Sequence, residues 1–272
     1  MKACIAYVHI TIPTLESVPK QVQLFRLTAQ VSLLNGLIGE TDSLLKGMLL
    51  TLDENFLADY DYLEMTIQSV LSALGFMVMV PCNPDDQIFQ IPEGFIQLIK
   101  LHDWSADEHH ILKVKMYVGI VRYLASQIQD KLPYCVPYVN GNDSIFIGNE
   151  EFKTEANTLM DFCFGEILEY ITKMNEEKEK HSEELIEVCM MAANLLVNTC
   201  QVSVKKISSF INKLFKMSDG FLENIEGGSE SPKALRFRQY INKTFDSFKR
   251  KKEAEAGDAS MRASMASDAS GL

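Results

Sequence analysis

Apolar residues along this chain recur at three- and four-residue intervals almost everywhere and alternate at period two almost nowhere. Side chains spaced this way line one face of a 3.6-residue helix, whereas a strand would present them at every second position. The periodicity therefore confines the chain to an all-α fold. Leu24, Leu27, Val31, Leu34 and the pair Leu37–Ile38 form one such stripe after Ser17 and Pro19, with Pro19 suited to a first helical turn. Asn35–Gly36 and Gly39 suit a break, after which Thr41 or Asp42 caps a second helix through Leu44, Leu45, Met48 and Leu52. Asp59 or Asp61 opens a third, carrying Leu63, Ile67, Val70, Leu71, Leu74 and Val78, and Pro81 ends it.

Pro81–Pro92, with Asn83, Pro84 and two aspartates, reads as a loop, and residues 92–101 as a short helix. Ser105-Ala-Asp107-Glu108 resembles a capping box, a serine hydroxyl facing an amide while an acid three positions on reaches back. The helix it opens runs through Leu112, Met116, Ile120, Tyr123, Leu124 and Ile128. Residues 132–148, with Pro133, Pro137, Asn140–Gly141 and Gly148, form the longest irregular stretch, with a short extended piece at Ile145–Ile147. Helices follow at 152–174, 185–200 and 202–217, the first two separated by the charge run Glu176–Lys180. About nine helices in antiparallel hairpins satisfy either a bundle or a solenoid of stacked hairpins. Broad apolar faces suited to neighbours on both sides favour a HEAT-like α-solenoid over residues 1–228.

After Gly227-Gly228-Ser229 the character changes. Residues 233–252 place Leu235, Phe237, Tyr240, Ile241, Phe245 and Phe248 near helical spacing among eight lysines and arginines, so that 229–252 reads as a basic amphipathic helix. Such a helix suits a terminal cap on the last hairpin with solvated lysines, a peripheral contact with an anionic membrane, or a partner. Residues 253–272, rich in Ala, Ser and Met without apolar periodicity, read as a disordered tail.

The 272 residues are 47% hydrophobic, enough to bury a substantial core, and carry a net charge of -11. Nine basic and five acidic residues lie from Lys233 onward, which leaves 17 basic and 32 acidic in residues 1–232. An acidic body of this kind is not built to hold nucleic acid through bulk electrostatics. Cys4, Cys82, Cys135, Cys163, Cys189 and Cys200 include no C-x-x-C pair, and several sit in apolar helical stretches, which favours a reducing compartment. Lys2 and the apolar run Ala3–Ile12 mimic a signal peptide, but His9 interrupts the run and no small-x-small site follows before Glu16. Val70–Val80 is too short to span a bilayer. The expectation is a soluble, intracellular protein.

Residues with reactive potential are few. His102-Asp103-Trp104 with Asp107, Glu108, His109 and His110 is the best metal or catalytic candidate. Helical ligand pairs need i, i+3 or i+4 spacing; neither His109 nor His110 has a His or Cys four positions away, and Asp107 and Glu108 are better explained as first-turn acids that complement the helix dipole. No phosphate-binding glycine loop, no G-x-S-x-G elbow and no assembled triad is legible. Met77–Met79 and Met190–Met191 read as core fillers before they read as adaptable surfaces. No catalytic, metal or cofactor residue is assigned, and individual partner-binding residues are not legible.

Three stretches carry a family resemblance: Ala3-Cys-Ile-Ala-Tyr-Val-His-Ile-Thr-Ile-Pro13, then Leu24-Phe-Arg-Leu-Thr-Ala-Gln-Val-Ser-Leu-Leu-Asn35 with Glu40-Thr-Asp-Ser-Leu-Leu-Lys46, and Asn142-Asp-Ser-Ile-Phe-Ile-Gly148 followed by Phe152 and Asn157. They resemble the vacuolar protein sorting 35-like family, the long scaffold subunit of the retriever complex, over roughly residues 3–200 and in its C-terminal part. The resemblance implies a HEAT-like α-solenoid and a non-catalytic scaffold, cytoplasmic and peripheral on endosomes, in endosome-to-plasma-membrane recycling. It implies one partner, a metallophosphoesterase-fold vacuolar sorting subunit shared with retromer, seated on a concave surface. The arrestin-like subunit and the coiled-coil and COMM-domain assembly are not carried over, because the N-terminal solenoid that holds them in the family is missing from this sequence. A peripheral membrane-binding module acting through residues 233–252 stands as the alternative function.

Overall fold

In the computed structural model the described residues are 1–55, 62–83, 87–102, 104, 110–129, 132, 134–177, 182–225 and 230–269, side chains of His110 and of 259–269 excepted. They are all-α, with no strand among them. The helices are α1 (Lys2–Thr11), α2 (Val18–Leu34), α3 (Ile38–Asn55), α4 (Leu63–Met77), α5 (Gln90–Leu101), α6 (His110–Gln127), α7 (Asn142–Ile145), α8 (Glu150–Glu177), α9 (Ser182–Thr199), α10 (Lys205–Leu222) and α11 (Pro232–Ala269). They form two compact units, 1–163 and 164–272, and the division falls inside α8.

In the first unit α2 packs on α3 across a three-residue connection, α4 packs on both α2 and α6, and α3 packs on α5. Successive hairpins thus stack into two rows, α2–α4–α6 and α3–α5, which is how a solenoid buries helices that are apolar on more than one side. The α2–α3 turn is a Schellman motif. Gly36 adopts φ +69°, Leu37 N–H donates to the Ser32 carbonyl at 3.1 Å, and Gly36 N–H donates to that of Leu33 at 2.9 Å. Because this motif completes the break, Gly39 lies within α3, and α3 begins at Ile38 instead of being capped by Thr41 or Asp42. Thr41 is buried and its hydroxyl donates back to the Leu37 carbonyl at 2.8 Å. Farther along the hairpin, a Cβ added at Gly47 would stand 2.9 Å from the buried Phe25 ring.

The sequence stripe on α2 is not its core face. Val22, Phe25, Ala29 and Leu33 are the buried residues, at 0–2% exposure, whereas Leu24, Leu27, Val31 and Leu34 are 37%, 40%, 43% and 70% exposed. The helix carries two apolar faces, and the one holding small Ala29, Thr28 and Ser32 permits the closer approach to neighbouring helices. The apolar run after Lys2 is helix α1, ending in a short 3-10 turn at Ile12–Thr14. Ile145–Ile147 is not extended: Ile145 ends α7, and a turn follows that closes on Gly148 at φ +71°, a conformation open to glycine. The proposed openings at Asp59 or Asp61, the capping box at 105–108, residues 178–180 of the charge run and Gly227–Ser229 lie outside the described residues.

In the second unit α9, α10 and α11 all pack against one another. Ala234, Ile241, Thr244 and Phe248 of α11 are buried, and Phe215 of α10 meets Phe245 and Phe248 with ring centroids 5.0 and 6.1 Å away. Insertion of this apolar face into lipid would require α11 to leave the hairpin. Its lysines are not simply solvated either. Lys251 Nζ donates to the carbonyls of Val197 and Cys200 at 2.6 and 2.9 Å, the unsatisfied acceptors at the end of α9. The Glu255 carboxylate accepts from the amides of Val202 and Ser203 at 3.2 and 2.7 Å, just before α10. Each charge complements a helix dipole. The backbone has no break at 252 and is helical through Ala269, in keeping with the high helix propensity of its Ala, Met, Glu, Lys and Arg.

Candidate interaction surfaces

Three places in the first unit gather side chains of functional interest. The first is the outer face of α2. Leu24, Leu27, Val31 and Leu34 follow one another at intervals of three, four and three, so they form a single row roughly opposite the core face. That spacing is the seam on which another helix packs knobs into holes. Gln23, Gln30 and Asn35 flank it and exposed Lys20 stands one turn before Leu24, so the row has a polar border.

The second is a buried polar junction. Cys82 N–H donates to Asn142 Oδ1 at 2.7 Å, Asn142 Nδ2 donates to Gln127 Oε1 at 2.8 Å, and Gln127 Nε2 reaches the Val78 carbonyl at 3.4 Å. Asn142 Nδ2 also lies 3.2 Å from the Cys82 thiol, which contacts Tyr123 Oη at 3.8 Å. One asparagine therefore ties the start of α7 to the loop after α4 and to the end of α6. Burial pushes the Cys82 thiol up in pKa, with the bonds from Tyr123 and Asn142 acting against it. Burial, then the neighbouring thiol, pushes the Tyr123 hydroxyl well above its ordinary value. A cavity of about 430 Å³, including its open mouth, lies beside this junction, lined among others by Asp42, Lys46, Cys82, Ile91, Pro92 and Tyr123. Lys46 and Asp42 pair there at 3.0 Å.

The third is the loop that the junction anchors. Asp143 Oδ2 accepts from Leu132 N–H at 3.2 Å, and Phe146 stacks on Phe152 at 4.4 Å, which in turn meets Phe89 at 5.1 Å. Between these anchors Tyr134, Tyr138 and Ile147 stand exposed. Tyr138 holds φ +67°, a left-handed backbone that costs a non-glycine residue energy and is retained here at a fully exposed tip.

The candidate metal cluster resolves differently. His102 is buried, its ring 4.5 Å edge-to-face from Trp104, whose Nε1 donates to the Ile99 carbonyl at 2.8 Å. Both side chains thus close the end of α5. Asp103, Asp107, Glu108 and His109 lie outside the described residues, as does the side chain of His110. Among the described residues, no three His, Cys, Asp or Glu side chains come together in a way that could hold a metal ion. Met77 and Met190 are buried, as core fillers are. No described helix is long and apolar enough to cross a membrane.

Cysteine burial makes a pH prediction. Cys189 is fully enclosed, and burial pushes its thiol up to about 12 from 9.0, partly offset by Ser218. The unfolded chain then loses this proton first, binds fewer protons than the fold above pH 9, and gains relative stability as pH rises toward about 12. Folding stability should fall over that window by roughly 1.4 kcal/mol per pH unit from this group. Urea unfolding at successive alkaline pH values should show a shallower decline for Cys189→Ala than for the parent chain.

Comparison with known proteins places the chain in a family. Residues 1–267 match the VPS35L C-terminal domain. Similar proteins include "VPS35 endosomal protein sorting factor-like" of Dictyostelium discoideum, 25% identical over 224 residues, which covers 80% of this chain and 22% of that protein. The Danio rerio counterpart is 26% identical over 194 residues, 66% of this chain and 19% of that protein. The human counterpart is 21% identical over 187 residues, 65% and 19% respectively. The chain spans about one fifth of the length of these relatives. With the match extending from α1 through nearly all of α11, this chain belongs to the VPS35L C-terminal domain family.

Proposed function

We propose that the chain is a non-catalytic scaffold of endosomal protein sorting, cytoplasmic and peripheral on endosomes, which works by holding a metallophosphoesterase-fold sorting subunit within a retriever-like complex that recycles cargo to the plasma membrane. Its family membership supports the sorting role, since the relatives are named as endosomal protein-sorting factors. The observation that carries the scaffold reading is the exposed row Leu24, Leu27, Val31 and Leu34. Four aliphatic side chains aligned on one face and bordered by polar residues have the make-up of an interface core with its rim.

Size-exclusion chromatography of the purified chain with the purified phosphoesterase-fold subunit tests it. Co-elution at micromolar concentrations is expected, as is its loss in a Leu27→Glu, Val31→Glu variant, which places charge at the row without touching Val22, Phe25, Ala29 or Leu33. Separate elution of the parent chain overturns the partner. Co-elution that survives the double substitution removes α2 as the contact surface.

A further inference from the structure

The eight basic residues between 233 and 252 face a single acid, Asp246, within a chain whose net charge is -11. Docking of α11 sorts them. Lys251 is committed to the end of α9, Lys233 pairs with Glu183 at 3.1 Å, and Lys249 and Lys252 sit over the rings of Phe245 and Phe248 at 4.3 and 5.9 Å. Four remain: Arg238 is half-buried, whereas Arg236, Lys243 and Arg250 are exposed and none of these three is in a hydrogen bond or ion pair among the described residues. They recur at intervals of seven, so they lie in one row on the side away from Ile241 and Phe248, about 21 Å from end to end. Lys252 beside Ser208 and Phe248 beside Phe215 set α10 antiparallel to α11. Along its exposed side α10 adds Lys205, Lys213 and Lys216.

We propose that α11, with α10 beside it, is an electrostatic adhesion surface for anionic phospholipid bilayers, acting through Arg236, Lys243 and Arg250 without inserting apolar side chains. Charge complementarity selects the occupant. Cations about one heptad apart on a helix fixed in a folded unit match an extended field of lipid phosphates, which attracts each basic residue within a Debye length. Base stacking by nucleic acid would call for exposed aromatic rings among the cations. Here Tyr240 is the one exposed ring among the described aromatic residues of α11, while Phe237 and Phe245 are half-buried and Phe248 is buried, so no successive stacking platform is offered. Insertion is unavailable to the same face because it already forms the contact with α9 and α10. The surface is independent of the partner proposed for α2, and loss of one leaves the other standing.

Co-sedimentation of the full chain with vesicles tests it. Vesicles of phosphatidylcholine containing phosphatidylserine should bind the chain at low salt and release it at high salt, while phosphatidylcholine alone should not bind. Each cation removed should cost about fivefold in partitioning, so Arg236→Gln, Lys243→Gln, Arg250→Gln together should lose about a hundredfold. Lys20→Gln in the first unit should lose nothing. The single Lys243→Gln variant, expected to lose about fivefold, serves if the triple variant shows an altered circular dichroism spectrum. Absent binding to the anionic vesicles overturns the proposal, as does binding that ignores salt or lipid charge, or that survives the substitutions. Displacement by duplex DNA at concentrations below that of the lipid would reassign the surface to nucleic acid.

Discussion

Replacing Asn142 by alanine should lower the unfolding midpoint of the first unit by about 6–12 °C, as expected for a loss near 3 kcal/mol in a domain of this size. The size of the effect follows from what the asparagine holds. Its carboxamide accepts from the Cys82 amide and donates to Gln127, and all of this happens at a side chain only 2% exposed. Removing it leaves a buried donor and a buried acceptor without partners, which costs more than the bonds themselves contribute. Asn142→Asp separates the two halves of the network. A carboxylate keeps the bond from Cys82 N–H but turns an acceptor toward Gln127 Oε1, so its midpoint should fall between the two and recover as pH is lowered. Differential scanning calorimetry of the three proteins checks this. An alanine variant within about 1 °C of the parent would show that water replaces the side chain at no cost.

The largest effect in the second unit is expected at Phe248. It is 3% exposed and packs against Phe215 and Phe245, so Phe248→Ala should cost about 3–5 kcal/mol. Lys251→Met is the informative companion. Methionine preserves the aliphatic stem but leaves the carbonyls of Val197 and Cys200 without their donor, for an expected cost of about 1–3 kcal/mol. Both changes should release α11, and hydrogen exchange should then quicken along α11 and at the last turn of α9 while α2 and α3 keep their protection. Lys243→Met, at an exposed position, should leave exchange unchanged. Unaltered protection of α11 in Phe248→Ala would mean that the helix is held by contacts other than its aromatic face.

These two sites mark the limits of what local pattern conveys. The helices through Leu44–Leu52, Leu63–Val78 and Leu112–Ile128 were legible because their apolar residues recur at a 3.6-residue period, which needs no knowledge of neighbours. The α2–α3 break was legible at Asn35–Gly36, where a left-handed C′ position calls for glycine. Gly39 could not be distinguished from it, since a glycine tolerated inside a helix looks the same in sequence as one that ends it. The Asn142 junction was beyond reach for another reason. Its partners lie 15 and 60 residues away, and neither Cys82 nor Gln127 stands in any spacing that signals a bond to residue 142.

What the amino-acid order settled was the kind of element: an all-α chain of hairpins, a basic final helix and a family likeness carried by helix-packing residues. Those properties depend on the near neighbours of each residue, within a turn or two. The fold settled which apolar face of α2 meets the core and which is left exposed, and it turned Lys251 from a surface charge into a helix cap. Both outcomes depend on how closely helices distant in sequence can approach. At α2 that approach is governed by Thr28, Ala29 and Ser32, whose small side chains give no apolar signal of their own.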